Sequence, residues 1–109
     1  RFDRYSIISK GILYMESEDG ENLSIPEIAA LCNVSDGYFR RLFKEYSGLS
    51  PSDYRLRHKI KRAMLLLKYE NMTVSEIAES LSFTTSAYFI KTFRRMTGTT
   101  PFKYRSSFL

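Results

Sequence analysis

Arg40, Arg41 and Lys44 lie within about one helical turn of one another, and so do Lys91, Arg94 and Arg95. Guanidinium and ammonium groups donate hydrogen bonds to guanine edges or to phosphate oxygens. Ala87 and Ile90 stand among the second set and suit contact with a thymine methyl instead. Gly37 stands before the first set, where it reads nothing but lets backbone come close. Other chemistries find little material. His58 is the sole histidine and Cys32 the sole cysteine, too few for a metal cluster. No nucleophile–base pair and no glycine-rich phosphate loop is evident. The residues predict neither an enzyme nor a cofactor. Cys32 falls on an apolar stripe and reads as a small buried hydrophobe. A single cysteine forbids an internal disulfide and fits a reducing compartment. His58, set among basic residues, reads as solvated or phosphate-facing.

These residues need rigid elements to aim them. Pro51 to Tyr69 reads as one long helix, with Ser50 as N-cap, Pro51 at the first position and Asp53 where a capping-box acid belongs. Ile60, Ala63, Met64 and Leu67 form its apolar stripe, widened by Leu66. Before it, Asp3 to Glu18 predicts a helix with Tyr5, Ile8, Ile12 and Met15 inward, followed by an acidic turn from Ser17 to Asn22. Ser24 and Glu27 make a capping box for a short helix with Ile28, Leu31 and Cys32 inward. Ser35 opens the next, with Phe39, Leu42, Phe43 and Tyr46 on one side and Gly48 as C-terminal cap. After it, Thr73 and Glu76 repeat the capping box, with Ile77 and Leu81 inward. Thr84 or Thr85 opens a helix with Phe89, Thr92, Phe93 and Met96 inward, ended by Gly98. Thr100-Pro101 starts a closing helix packed by Phe102, Tyr104 and Phe108.

The chain therefore contains one pattern twice. Glu27-Ile28-Ala29 matches Glu76-Ile77-Ala78 at an offset of 49, and Phe39, Phe43, Gly48, Pro51 and Tyr54 match Phe89, Phe93, Gly98, Pro101 and Tyr104 at an offset of 50. One residue is inserted in the second copy between Phe83 and Phe89. Each copy is a short helix, a tight turn and a longer helix, the helix-turn-helix arrangement that presents its second helix to a major groove. Opposite the Phe39/Phe43 stripe lie Gly37, Arg40, Arg41 and Lys44. Opposite Phe89/Phe93 lie Ala87, Ile90, Lys91 and Arg94, with Arg95 beside them. Tyr88 reads as a packing residue at the helix edge.

Charge placement agrees with an acidic partner. The formal net charge is +5 over 109 residues, but residues 1–34 carry 3 basic and 6 acidic groups (−3) while residues 35–109 carry 14 basic and 6 acidic groups (+8). Nucleic acid comes first for such a surface. An anionic membrane is a weaker reading, because the apolar stripe of the central helix is better spent on core, and no apolar run is long enough to span a bilayer. A helical module that binds a partner protein is the other class to weigh, with the acidic turn at Glu18 and Asp19 as its candidate surface.

Residues 23–54 and 72–105 resemble the two helix-turn-helix units of the AraC/XylS family of bacterial transcription regulators. The second copy carries the signature: Ile77-Ala78, Phe83, Tyr88-Phe89, Phe93, Gly98, Thr100-Pro101 and Tyr104-Arg105. Ala63, Leu66 and Leu67 match in the central helix. The resemblance implies an all-α fold of about seven helices, with two helix-turn-helix subdomains (1–50 and 71–109) joined by a central helix (51–70). It implies that helices 3 and 6 enter successive major grooves of a promoter, about 34–36 Å apart. The base-reading positions would be Gly37, Arg40, Arg41, Ser86, Ala87, Ile90 and Lys91, with Ser35, Lys44, Thr85, Arg94 and Arg95 at phosphates. It further implies a cytoplasmic, nucleoid-associated regulator, often an activator, that can also contact RNA polymerase. An effector-sensing or dimerising domain is expected outside this stretch, and the start at Arg1 fits a fragment. Two residues depart from the family pattern: Ser82 replaces a usual glycine after a helix end (Asn33 in the first copy), and Lys59 replaces a usual arginine.

Overall fold

The computed structural model describes residues 3–17 and 20–109. Among them are seven α-helices and one 3-10 turn (Gly20–Asn22): α1 (Arg4–Glu16), α2 (Ile25–Leu31), α3 (Asp36–Ser47), α4 (Pro51–Tyr69), α5 (Val74–Ser80), α6 (Ser86–Thr97) and α7 (Pro101–Ser106). The all-helical architecture expected from the sequence is present. Glu18 and Asp19, the candidate interaction surface, lie outside the described residues.

The helices start where small oxygen-bearing side chains can cap them. Asp3, Ser24, Ser35, Thr73, Thr85 and Thr100 each accept a backbone N–H from the first turn. Both capping boxes close in both directions: Ser24 with Glu27, and Thr73 with Glu76. At α4 the Ser50 hydroxyl accepts from the Asp53 N–H at 3.1 Å. Gly48 and Gly98 end α3 and α6 with φ of 79° and 82°, the left-handed geometry that a side chain would resist.

The chain divides into two compact units, Arg1–Arg55 and Leu56–Leu109. In the first, α1 packs against α2 and α3. Its core gathers Ile7, Ile8, Met15, Ile25, Ile28, Ala29, Cys32, Phe39, Leu42 and Phe43. Gly11 sits where a Cβ would strike the Phe39 ring, so α1 lies nearly on that ring. In the second unit, α5 and α7 pack on α6. The core joins Ile60, Ala63 and Leu67 of α4 to Ile77, Ala78, Leu81, Phe83, Phe89 and Phe93.

Five side chains expected to pack inward lie outside the core: Tyr5 (65% exposed), Leu31 (42%), Tyr46 (48%), Phe102 (73%) and Phe108 (45%), the last keeping an edge-on contact with Tyr104 at 5.0 Å. Tyr5 and Leu31 stand about 100° around their helices from the stripes that are buried, Ile7-Ile8-Gly11-Met15 and Ile25-Ile28-Ala29-Cys32. Tyr46 follows the α3 stripe but lies a turn beyond Phe43, where its ring meets Tyr5 edge-on at 6.2 Å. Both tyrosines thereby keep their hydroxyls near water. Phe102 is about 200° from the inward Tyr104 on α7. Cys32 is buried, as expected, and its thiol donates weakly to the Ile7 carbonyl at 3.8 Å. Burial pushes its pKa up, which Lys10 partly opposes. Such a thiol is an inert packing group.

Candidate nucleic-acid interface

Each unit aims one helix outward by the same device. Behind α3 the rings of Phe39 and Phe43 stand 5.7 Å apart, and Phe43 meets Tyr54 edge-on at 5.3 Å. Behind α6 the same ladder runs Phe89–Phe93 at 5.9 Å and Phe93–Tyr104 at 5.7 Å. All four phenylalanines have 0% exposure, so neither helix can roll without opening its core. The outward faces are thereby fixed in rotation.

The turns that set each pair of helices also match. After α2, Asn33 takes φ 59°, its N–H donates to the Ala30 carbonyl, and the Val34 N–H donates to the Ala29 carbonyl. After α5, Ser82 takes φ 61°, its N–H donates to Glu79, and the Phe83 N–H donates to Ala78. Both are Schellman closures, with a non-glycine residue in the left-handed position. Ser82 therefore does adopt the geometry for which glycine is usual, at a cost of about 1 kcal/mol. Lys59 supports this turn: its ammonium donates to the Ser82 carbonyl at 3.4 Å and lies 5.2 Å from the Phe83 ring centre. An ammonium cannot reproduce the bidentate fork of a guanidinium. The inserted residue of the second copy is Thr84, which lengthens the turn just before the Thr85 cap.

On α3, Gly37, Arg40, Arg41 and Lys44 are all exposed. A Cβ at Gly37 would meet nothing within 4 Å, so the backbone there is open to a ligand. The Arg40 Nε donates to Asp36 at 2.7 Å. The Arg41 guanidinium lies 5.4 Å from the Tyr38 ring centre. On α6, Ala87, Ile90, Lys91, Arg94 and Arg95 line an open depression together with Thr100. Ser86 is half-buried, and its hydroxyl hydrogen-bonds the Ser75 hydroxyl at 3.2 Å. Ser35 and Thr85 are engaged as caps, accepting from Tyr38 and Tyr88. Tyr88 packs its ring on Phe83 at 5.8 Å, yet 44% of the residue stays exposed. His58 is half-buried on α4.

One matched pair of functional supports escapes a reading by charge alone. Arg55 and Arg105 stand at the same offset of 50, each one residue after its ladder tyrosine. Arg55 donates to the Gly20 carbonyl at 3.3 Å. Arg105 donates to the Leu67 carbonyl at 3.0 Å and the Glu70 carbonyl at 3.4 Å. In each unit a guanidinium thus ties the end of the unit to the segment that leads into its first short helix. A Cβ at Gly20 would strike the Tyr14 and Met15 carbonyls, so the close approach of this turn to the end of α1 needs glycine. The signal was present in the duplicated Tyr-Arg pair, although both arginines otherwise read as surface charge.

The comparisons agree with this geometry. Residues 28–107 match the family described as a helix-turn-helix domain. The Msm operon regulatory protein of Streptococcus mutans is 32% identical over 91 residues, which are 84% of this chain and 33% of that protein. The chain spans about a third of the length of the curated relatives it matches. A solved transcriptional regulator from Chromobacterium violaceum, described by its AraC-type DNA-binding domain, superposes with a TM-score of 0.82 at 28% identity, covering 94% of this chain and 91% of that one. The C-terminal domain of AraT, a response regulator from Geobacillus stearothermophilus, gives a TM-score of 0.84 at 25% identity over 93% of this chain and 84% of that one. The chain belongs to the helix-turn-helix domain family, in the AraC/XylS group of bacterial transcription regulators.

Proposed function

We propose that this chain is the sequence-specific, double-stranded DNA-binding domain of a transcription regulator, with α3 and α6 entering successive major grooves of a promoter site. The observation that carries the reading is the repeated helix with one fully buried aromatic face and one exposed cationic face. Arg40, Arg41 and the open backbone at Gly37 read bases in the first groove. Ser86, Ala87, Ile90 and Lys91 read them in the second. Lys44, Arg94 and Arg95 take phosphates, joined by the cap hydroxyls of Ser35 and Thr85, which still have a proton to donate. The chain works as a binding module rather than an enzyme, in the cytoplasm and on the nucleoid. Contact with RNA polymerase, and control by an effector or dimerising domain, belong to the whole regulator.

An anisotropy titration tests this. A duplex selected from a random pool should bind tightly, and affinity should fall steeply with salt as counterions are released. Equal affinity for selected and scrambled duplexes would defeat the reading. The joining role of α4 is tested by inserting one residue after Leu65. The insertion should cost more affinity for the selected duplex than any single base-contact substitution, while normal affinity would mean that spacing is not set there.

A further inference from the structure

On the DNA-binding reading above, we propose that Asp36 is a specificity-determining residue that positions Arg40 for an end-on contact with guanine. Asp36 opens α3 and Arg40 follows one turn later, exposed beside the buried Phe39/Phe43 stripe. The Arg40 Nε donates to the Asp36 Oδ1 at 2.7 Å, and each side chain is 43% exposed. A pair so exposed contributes little to stability. Its effect falls on what the guanidinium can do next. With Nε engaged, the terminal amino groups are the donors left for another partner. Guanine offers O6 and N7 side by side in the major groove, a match for two parallel N–H groups.

Two further consequences favour a base over the backbone. A tethered arginine has already given up rotamer freedom that an untethered one gives up on binding. The Asp36 carboxylate also repels phosphate oxygens, so it steers Arg40 away from the DNA backbone. Arg41 instead lies 5.4 Å from the Tyr38 ring centre. The second unit has no equivalent couple, because the positions matching Asp36 and Arg40 hold Ser86 and Ile90. The Asp36–Arg40 couple is thus a device of the first unit alone.

The test uses duplexes selected by the unaltered protein, each then changed at one base pair, and a scrambled duplex. R40A should lose about ten- to a hundredfold discrimination at one G·C pair, the worth of a bidentate contact. D36A should lose part of the discrimination at that same pair, with equal or tighter binding to the scrambled duplex. D36A/R40A should discriminate no worse there than R40A, because Asp36 acts through Arg40. D36N should recover most of the loss, since its amide oxygen still accepts from Nε. Melting curves should stay close to that of the parent. Full discrimination by D36A at the Arg40 pair would overturn the assignment, as would equal weakening on every duplex. If the unaltered protein discriminates no sequence at all, the DNA-binding reading falls and takes this one with it.

Discussion

In the first unit Phe39, Phe43 and Tyr54 stand behind a helix that presents Arg40 and Arg41; in the second, Phe89, Phe93 and Tyr104 stand behind one that presents Ile90 and Lys91. Caps, left-handed turn residues and terminal glycines correspond one for one. The brace behind the pair differs, being α1 with its Gly11 in one unit and the latter part of α4 in the other. The outward residues differ most. A scaffold held by ring packing leaves its solvent face free of folding constraints. The same architecture can therefore present paired arginines in one copy and a mixed apolar and cationic face in the other.

The scaffold half of this comparison breaks first under core truncation. Phe43→Ala and Phe93→Ala should each cost about 3–5 kcal/mol, enough to unfold a unit of this size. Amide exchange should show which unit loses protection, and equal loss in both units from one substitution would refute separate cores. The reader half is probed by Arg41→Ala against Ile90→Ala. The first should cost about 1–3 kcal/mol of binding and relax one base position, while the second should cost nearer 1 kcal/mol. Equal weakening of all sequences by Arg41→Ala would make it a phosphate clamp.

A finer contrast lies in the turns. Ser82→Gly should raise stability by about 1 kcal/mol in thermal melts, because serine pays for its positive φ. Asn33→Gly should gain less, since asparagine tolerates that geometry. Equal gains would deny the difference. The smallest effect concerns acid. Bonds from the Thr73 backbone and hydroxyl hold the Glu76 carboxyl below its ordinary value of 4.5. A depressed folded pKa means the capping box contributes fully above that value and weakens as pH falls through the folded pKa. Glu76→Gln should flatten the stability profile below about pH 4.5, and an unchanged acid limb would show that Glu76 does not shape it.

Much of this was legible in the residues. Ser-x-x-Glu and Thr-x-x-Glu announce two helix starts, because their reciprocal bonds are local. Phenylalanines four apart, followed by glycine and proline, announce the helices they stabilise. The misplaced residues share a cause: periodicity gives a stripe but not its width or its end. Tyr5, Leu31, Tyr46, Phe102 and Phe108 all flank or overrun real stripes, and only the neighbouring helix decides where a face stops. Gly11 reads as a weak point in a helix until the Phe39 ring is seen above it. Arg55 and Arg105 act on carbonyls 35 residues away, a distance that no local pattern reports.

Those two arginines also bear on the order of folding events. Bringing together chain points 35 residues apart costs roughly 3 kcal/mol of entropy for a flexible loop. A charge-assisted hydrogen bond returns about 1.5–3 kcal/mol at best. No single one of these bonds outweighs that cost, so each is expected to form once the aromatic core has drawn the ends together. Such late contacts are absent from the transition state, so removing one should leave the folding rate nearly unchanged and speed unfolding. On that expectation the arginines govern how long each outward helix, once formed, stays in place.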